Sequence, residues 1–163
     1  VVRIEDAEER DLPAILAILN EVIATSTAVF SDDPVTLEEQ REWLRRRRES
    51  GFPVLVAREG DDVLGYASYG EFRSHPGYRT TVEHTVHVAS RARRRGIGRE
   101  LVRRLIELAR EDGRHVMVAG VDAGNGPSIA LHEQLGFVES ARMSEIARKS
   151  GHWVDLVLLT RRL

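Results

Sequence analysis

The chain has 163 residues, 42% of them apolar, enough for a packed core in one domain spanning 1–163. With 24 basic and 26 acidic residues the formal charge is -2, so no general electrostatic drive leads to nucleic acid or an anionic membrane as partner. The absence of cysteine excludes disulfides, thiolate nucleophiles and thiolate metal sites. No apolar run reaches the roughly 18 residues of a membrane span, and no secretory pattern opens the sequence, so a soluble cytoplasmic protein is expected.

In chain order, 2–4 reads as a short strand. Asp11 is placed to cap a helix whose apolar positions include Leu12, Ile15, Leu16, Leu19 and Ile23. A loop over 24–34 follows. Thr36 and Glu39 form a capping box, so a second helix runs over 37–49 until Gly51 and Pro53 stop it. Arg45 to Arg48 read as its solvated face. Strands are expected over 54–58 and 63–72, joined by the hairpin turn Glu59-Gly60-Asp61-Asp62. A loop with Pro76 and Gly77 leads to a strand over 82–88. A strongly periodic helix runs over 96–110, with Ile97, Leu101, Leu105 and Leu108 on one face, until Gly113 ends it. Then come a central strand over 115–121, a short helix over 128–135 begun by Asn125 and ended by Gly136, and two strands over 137–146 and 152–159. This order is that of a mixed α/β layer fold.

The junction Arg93-Arg94-Arg95-Gly96-Ile97-Gly98 carries the strongest chemistry. It joins a strand to a helix, its glycines let the backbone approach an anion, and the new helix offers free N–H groups. Three arginines suit a ligand with several phosphates, although a merely solvated charge run is the bland alternative. No Lys-Ser/Thr pair follows the second glycine, so this is not a Walker A loop, and Leu101 replaces the third glycine of a dinucleotide fingerprint. The six histidines show no convincing metal-ligand spacing, and no metal is expected.

These features resemble the GNAT N-acetyltransferase superfamily. Its cofactor turn, Gln/Arg-x-x-Gly-x-Gly/Ala, is matched by Arg93 to Gly98, and its Asn-led helix ending in Leu-Gly-Phe by Asn125 to Phe137. A closer resemblance, to the phosphinothricin and methionine sulfoximine/sulfone acetyltransferase branch, rests on Phe30, Tyr69, Glu71-Phe72-Arg73, Tyr78-Arg79, Val82-Glu83-His84, Val86-His87-Val88, Lys149, Trp153 and Asp155. His87 departs from the branch's more frequent Tyr. The resemblance implies a twisted mixed sheet with helices on both faces, acetyl-CoA as cofactor, a small-molecule amine as substrate and a homodimer. The diphosphate would sit on the amides of Arg94 to Arg99, with charge from Arg93, Arg94 and Arg95. Backbone at Val86, His87 and Val88 would bond the pantetheine arm, with Asn125 and Ser128 on its other side; Asn125 reads equally as a plain helix cap.

Glu83 is the candidate base, because a carboxylate in an apolar strand is costly without a task or a partner; a structural salt bridge is the other reading. In a regular strand His84 points to the opposite face. His132 stands where much of the superfamily has Tyr, and would protonate the departing thiolate, hydrogen-bond its sulfur, or only pack. Arg73 and Arg79 are candidates to clamp an acceptor carboxylate. Phe30, Tyr78 and Trp153 would wall the acceptor pocket, Trp153 from a neighbouring loop or subunit, and Glu71, Lys149 and Asp155 would order it or recognise polar groups of the acceptor. The leading function is acetyl transfer to the α-amine of methionine sulfoximine, methionine sulfone or phosphinothricin. Aminoglycoside, polyamine or protein N-terminal acceptors, and a non-catalytic acetyl-CoA-binding module, are the alternatives.

Overall fold

A computed structural model describes residues 1–163. The elements are β1 (Arg3–Asp6), α1 (Leu12–Thr25), α2 (Leu37–Glu49), β2 (Val54–Glu59), β3 (Asp62–Glu71), β4 (Thr81–Val88), α3 (Ile97–Glu111), β5 (Val116–Asp122), α4 (Gly126–Gln134), β6 (Val138–Lys149) and β7 (His152–Arg162). The seven strands join one sheet in the order β1-β2-β3-β4-β5-β7-β6. Every neighbouring pair is antiparallel except β4 and β5. A parallel pair needs a crossover, and α3 supplies it.

Helices cover both faces. On one, Trp43 of α2 meets Tyr66 edge-on at 6.1 Å, and α1 packs against α2 and the central strands. On the other, Leu101 of α3 closes on Gly65, and His132 of α4 stacks on His84. The strand period of two therefore sends Val82, His84, Val86 and Val88 toward α3 and α4, and Glu83, Thr85 and His87 toward α1 and α2. In α3, Ile97, Leu101, Val102, Leu105, Ile106 and Ala109 recur every three or four residues and are all buried. Gly113, at φ 73°, terminates it in a conformation that only glycine adopts without strain.

The α2 capping box forms as expected. The Glu39 N–H donates to Thr36 Oγ1 at 3.2 Å, and the Thr36 N–H to Glu39 Oε2 at 2.8 Å. The expected Asp11 cap of α1 does not. Asp11 accepts from the Glu8 N–H and pairs with Arg58 at 2.5 Å; both side chains are buried, and Glu5 also accepts from Arg58, at 2.6 Å. An ion partner 47 residues away outcompetes the adjacent helix terminus for this carboxylate. The last hairpin is longer than its apolar pattern suggests and is interrupted by register shifts at 139/141 and 143/147. No helix is long and apolar enough to cross a membrane.

Candidate active site

Between β4 and α3 the chain turns through Arg94 at φ 60° and Gly96 at φ 76°. The amides of Arg94, Arg95, Gly96, Ile97, Gly98 and Arg99 find no backbone acceptor and no side-chain cap; the first bond of the helix runs from the Glu100 N–H to the Gly96 carbonyl. Six open donors at the positive end of a 15-residue helix form an anion nest. A Cβ on Gly98 would meet Val88 at 3.6 Å and Val86 at 4.0 Å, ordinary contacts, so packing alone does not require glycine there. Arg93, Arg94 and Arg99 are exposed, while Arg95 is bound by the Glu59 carboxylate at 2.9 and 3.1 Å.

The β4–β5 ladder lasts only from Thr81↔Val116 to Glu83↔Val118. Beyond it β4 continues to Val88 and β5 to Asp122 without pairing, which leaves two facing edges of unsatisfied backbone. The fork encloses a groove of about 230 Å³, lined by Val86, His87, Gly120, Asn125, Ser128 and His132 among others, with Ala28 and Val29 from the α1–α2 loop. The Asn125 side-chain Oδ1 accepts from the Ser128 N–H at 3.2 Å, so the cap reading holds and occupies one end of that side-chain amide. His87 turns its ring away to Tyr66, 5.5 Å off, where burial lowers its imidazole to about 4; only its backbone belongs to the fork. A larger hollow, about 580 Å³ and lined by Leu44, Arg48, Phe52, Tyr69 and Asp112 among others, includes none of the open amides and no residue of the fork.

Glu83 is the last paired residue before the strands part. Its Oε2 lies 3.4 Å from where a Gly120 Cβ would be, so its carboxylate reaches across the fork. Burial raises its pKa, against the pull of Arg73 and then of Arg47. Arg47 is a correction to the solvated face expected for Arg45 to Arg48. Arg45 and Arg46 do face solvent, beside Glu42. Arg48 donates to the Ala7 carbonyl, and Arg47 turns inward over Trp43 and Phe52, with its guanidinium 5.6 and 6.0 Å from the ring centroids. The signal that distinguishes it is periodic. Gln40, Trp43, Leu44 and Arg47 share one helix stripe, and Gln40 and Leu44 are buried.

His132 is 2% exposed. Its Nδ1 lies 2.7 Å from the Ser128 carbonyl, which can only accept, so Nδ1 carries the proton. Its Nε2 lies 3.1 Å from Nε2 of His84. With both rings neutral, His84 is then the donor and His132 the acceptor. Burial lowers both imidazoles, His84 to about 3. The expectation that His132 supplies a proton near neutral pH is thus corrected: one nitrogen has its proton engaged and the other has none. His84 lies on the opposite face from Glu83, as strand alternation requires, but its pairing with His132 is a tertiary contact that alternation does not reveal.

The acceptor candidates divide. Arg73 lies over Phe72, 5.2 Å from its ring centroid, and acts on Glu83. Tyr78 is exposed and meets Phe72 edge-on at 5.9 Å. Glu71 and Arg79 are exposed at the β3–β4 connection, and Phe30 is half-buried beside the groove-lining Val29. Lys149, expected at the acceptor, is 3% exposed and is corrected to a structural tie. Its Nζ donates to the carbonyls of Ile23, at 2.7 Å, and Ser31, and so ties the last turn of α1 to the loop residue that follows Phe30. Asp32 of the same loop accepts from the Ser150 N–H, and Thr27 donates to Asp122 on β5. Trp153 is 61% exposed at the β6–β7 hairpin, under the Arg148 guanidinium, and lines neither the groove nor the larger hollow.

An amide nest for phosphates, a forked sheet that can take an extended arm, and a carboxylate at the fork define a group-transfer enzyme of the coenzyme-A-dependent class. The acetyltransferase (GNAT) family model matches residues 15–137, and the chain belongs to that family. It is 45% identical over 157 residues to the L-methionine sulfoximine/L-methionine sulfone acetyltransferase of Pseudomonas aeruginosa, covering 96% of this chain and 91% of that one. A Salmonella typhimurium structure with its cofactor acetyl-CoA superposes with a TM-score of 0.96 at 41% identity, over 99% of this chain and 94% of the other. A ribosomal-protein-alanine N-acetyltransferase from Brucella melitensis superposes with a TM-score of 0.97 at 46% identity, over 99% of both chains.

Proposed function

We propose that this protein transfers the acetyl group of acetyl-CoA to the α-amine of a small amino-acid-like acceptor, of the kind represented by methionine sulfone, methionine sulfoximine and phosphinothricin. The observation that carries this reading is the pairing of six open amides at α3 with a half-buried carboxylate at the β4–β5 fork. The amides of Arg94 to Arg99 would hold the diphosphate, with Arg93 and Arg94 adding charge. The free edge of β4 at Val86 to Val88 would bond the pantetheine arm as an added strand, with Asn125 and Ser128 on its other side.

Bound acetyl-CoA supplies an activated acetyl group. Glu83 accepts the proton that the acceptor amine must lose, directly or through one water. Unpaired backbone N–H groups at the fork serve as donors to the thioester oxygen. The neutral His84–His132 pair walls the groove and holds no proton ready for sulfur, so the thiol leaves as thiolate. Arg73 faces the acceptor carboxylate, and Phe30 and Tyr78 stand at the pocket's rim. Two copies would pair through the β6–β7 hairpin, where Ile146 and Trp153 are exposed, bringing Trp153 toward the neighbouring site.

An acceptor screen that follows free-thiol release tests the reading. Methionine sulfone, methionine sulfoximine and phosphinothricin should outrun ordinary amino acids, spermidine and a short peptide. The likeness to a ribosomal-protein-alanine N-acetyltransferase supports a second reading, a peptide amine as acceptor. Preference for an Ala-led peptide would replace the first reading with that one.

A further inference from the structure

The Arg47 guanidinium is placed for a partner that the protein does not supply. It projects from α2 onto the sheet at Gly70, where any side chain would overlap it: a Cβ there would lie 1.4 Å from Nη1. Glycine at 70 therefore keeps this space open for the arginine, although Gly70 sits in a buried strand with φ in the ordinary range. Trp43 and Phe52 flank the guanidinium and fix its plane. Gly70 is the cross-strand partner of Glu83, so both residues face α2 with Cβ positions about 5 Å apart. Glu83 influences Arg47 through space, but no carboxylate hydrogen-bonds it. A half-buried, oriented cation with free N–H groups, next to a base on which Arg73 also acts through space, matches the fork geometry of a carboxylate.

We propose that Arg47 is a specificity-determining residue that binds the α-carboxylate of the acceptor and so selects amino acids over simple amines. This deepens the proposed function and rests on its reading of the acceptor as an amino acid. A carboxylate held between Arg47 and Arg73 brings the adjacent α-amine to Glu83, because amine and carboxylate share one carbon. An amine without the carboxylate gains nothing from either arginine. Arg47 thus acts on the acceptor and not on the coenzyme, whose proposed contacts lie beyond the fork at Val86 to Val88 and at α3.

The test compares methionine sulfone with its decarboxylated counterpart, 3-(methylsulfonyl)propan-1-amine, in wild type and Arg47→Met. A charge-assisted hydrogen-bonded pair predicts a rise of about 10- to 100-fold in KM for the amino acid, with kcat changed only a few-fold. KM for the bare amine and for acetyl-CoA should not move. Gly70→Ala, which pushes the guanidinium aside, should give the same acceptor-selective defect, and the double variant should be no worse than Arg47→Met alone. An unchanged KM for methionine sulfone overturns the proposal, as does an equal loss on both acceptors, which would make Arg47 a support for Glu83. Calorimetric binding of methionine sulfone to the coenzyme A complex separates this proposal from the function it rests on. Binding that Arg47→Met weakens, without acetyl transfer in wild type, would sink the catalytic reading and keep the Arg47 assignment. No binding to wild type would sink the Arg47 assignment.

Discussion

Replacing Glu83 by Gln keeps the shape of the side chain and removes only its ability to ionise. General-base catalysis accounts for roughly 10²- to 10⁴-fold in rate, or about 3–5 kcal/mol of barrier, and kcat/KM should fall within that range. The coenzyme should bind as before, because Glu83 is neither among the open amides nor among the groove-lining residues. The pH profile gives a second readout. Burial raises the Glu83 pKa, so the acid limb of wild-type kcat/KM should lie above the ordinary glutamate range. In Glu83→Gln that limb should vanish, leaving a low, flat profile.

Stability gives a third readout, and its sign distinguishes a base from a structural ion pair. A carboxyl whose pKa is raised on folding favours the folded state only while it is protonated. That contribution is complete below its unfolded pKa and is lost as pH rises through the folded value. Glutamine resembles the protonated form at every pH. Glu83→Gln should therefore melt at or above the wild-type temperature at pH 8, with the difference closing near pH 4. An ion pair made for stability would do the reverse, because its loss would leave Arg47 partly buried and unpaired. Wild-type kcat/KM with the acid limb intact, or a sharp drop in melting temperature at pH 8, would refute the assignment.

Gly98→Ala should leave the melting temperature of the free protein unchanged or slightly raised, since its Cβ makes only ordinary contacts and alanine favours helix. It should nevertheless weaken coenzyme A binding in calorimetry, because it adds a methyl beside Val86, which lines the groove; unaltered affinity would place the coenzyme elsewhere. Lys149→Met strips two carbonyls of a charged donor and should cost about 1.5–3 kcal/mol in denaturant unfolding, with the acceptor KM rising as the Phe30 loop loosens. Asp11→Ala leaves Arg58 buried beside Glu5 alone and should cost about 3–5 kcal/mol in the same assay, without altering kinetics at permissive temperature.

The parts of the fold legible in the sequence are those whose physics is local. The α2 capping box is decided within four residues, the α3 stripe by a period of 3.6, and the turn at Gly96 by a positive φ that must be met where it occurs. The same locality misleads at Asp11 and Lys149. Each has the composition of a local role, a helix cap or a polar residue at the acceptor, and each is held by partners 47 and more than 100 residues away. The β6–β7 hairpin reads short because most of β6 is exposed, so no apolar alternation marks its course. His132 illustrates a finer limit. The sequence implies an imidazole near the sulfur position but not which nitrogen carries the proton, since that depends on the Ser128 carbonyl and on His84 from another element.

Arg47 shows how the two kinds of information combine at the site. Its helical stripe is readable, yet a run of four arginines resembles a solvated face unless the sheet beneath is known to offer a glycine. With Gly70 and Glu83 as cross-strand neighbours, the cost of half-burying a guanidinium calls for a compensating anion. Glu83 alone does not form that hydrogen-bonded partnership, and a base tied into an ion pair would be a poor one. An incoming carboxylate resolves both constraints: it can neutralise Arg47 and Arg73, and in doing so withdraws the two charges that pull the Glu83 pKa down. Acceptor binding would then raise the proton affinity of the base at the moment the amine arrives, so recognition and activation would be coupled through the same three side chains.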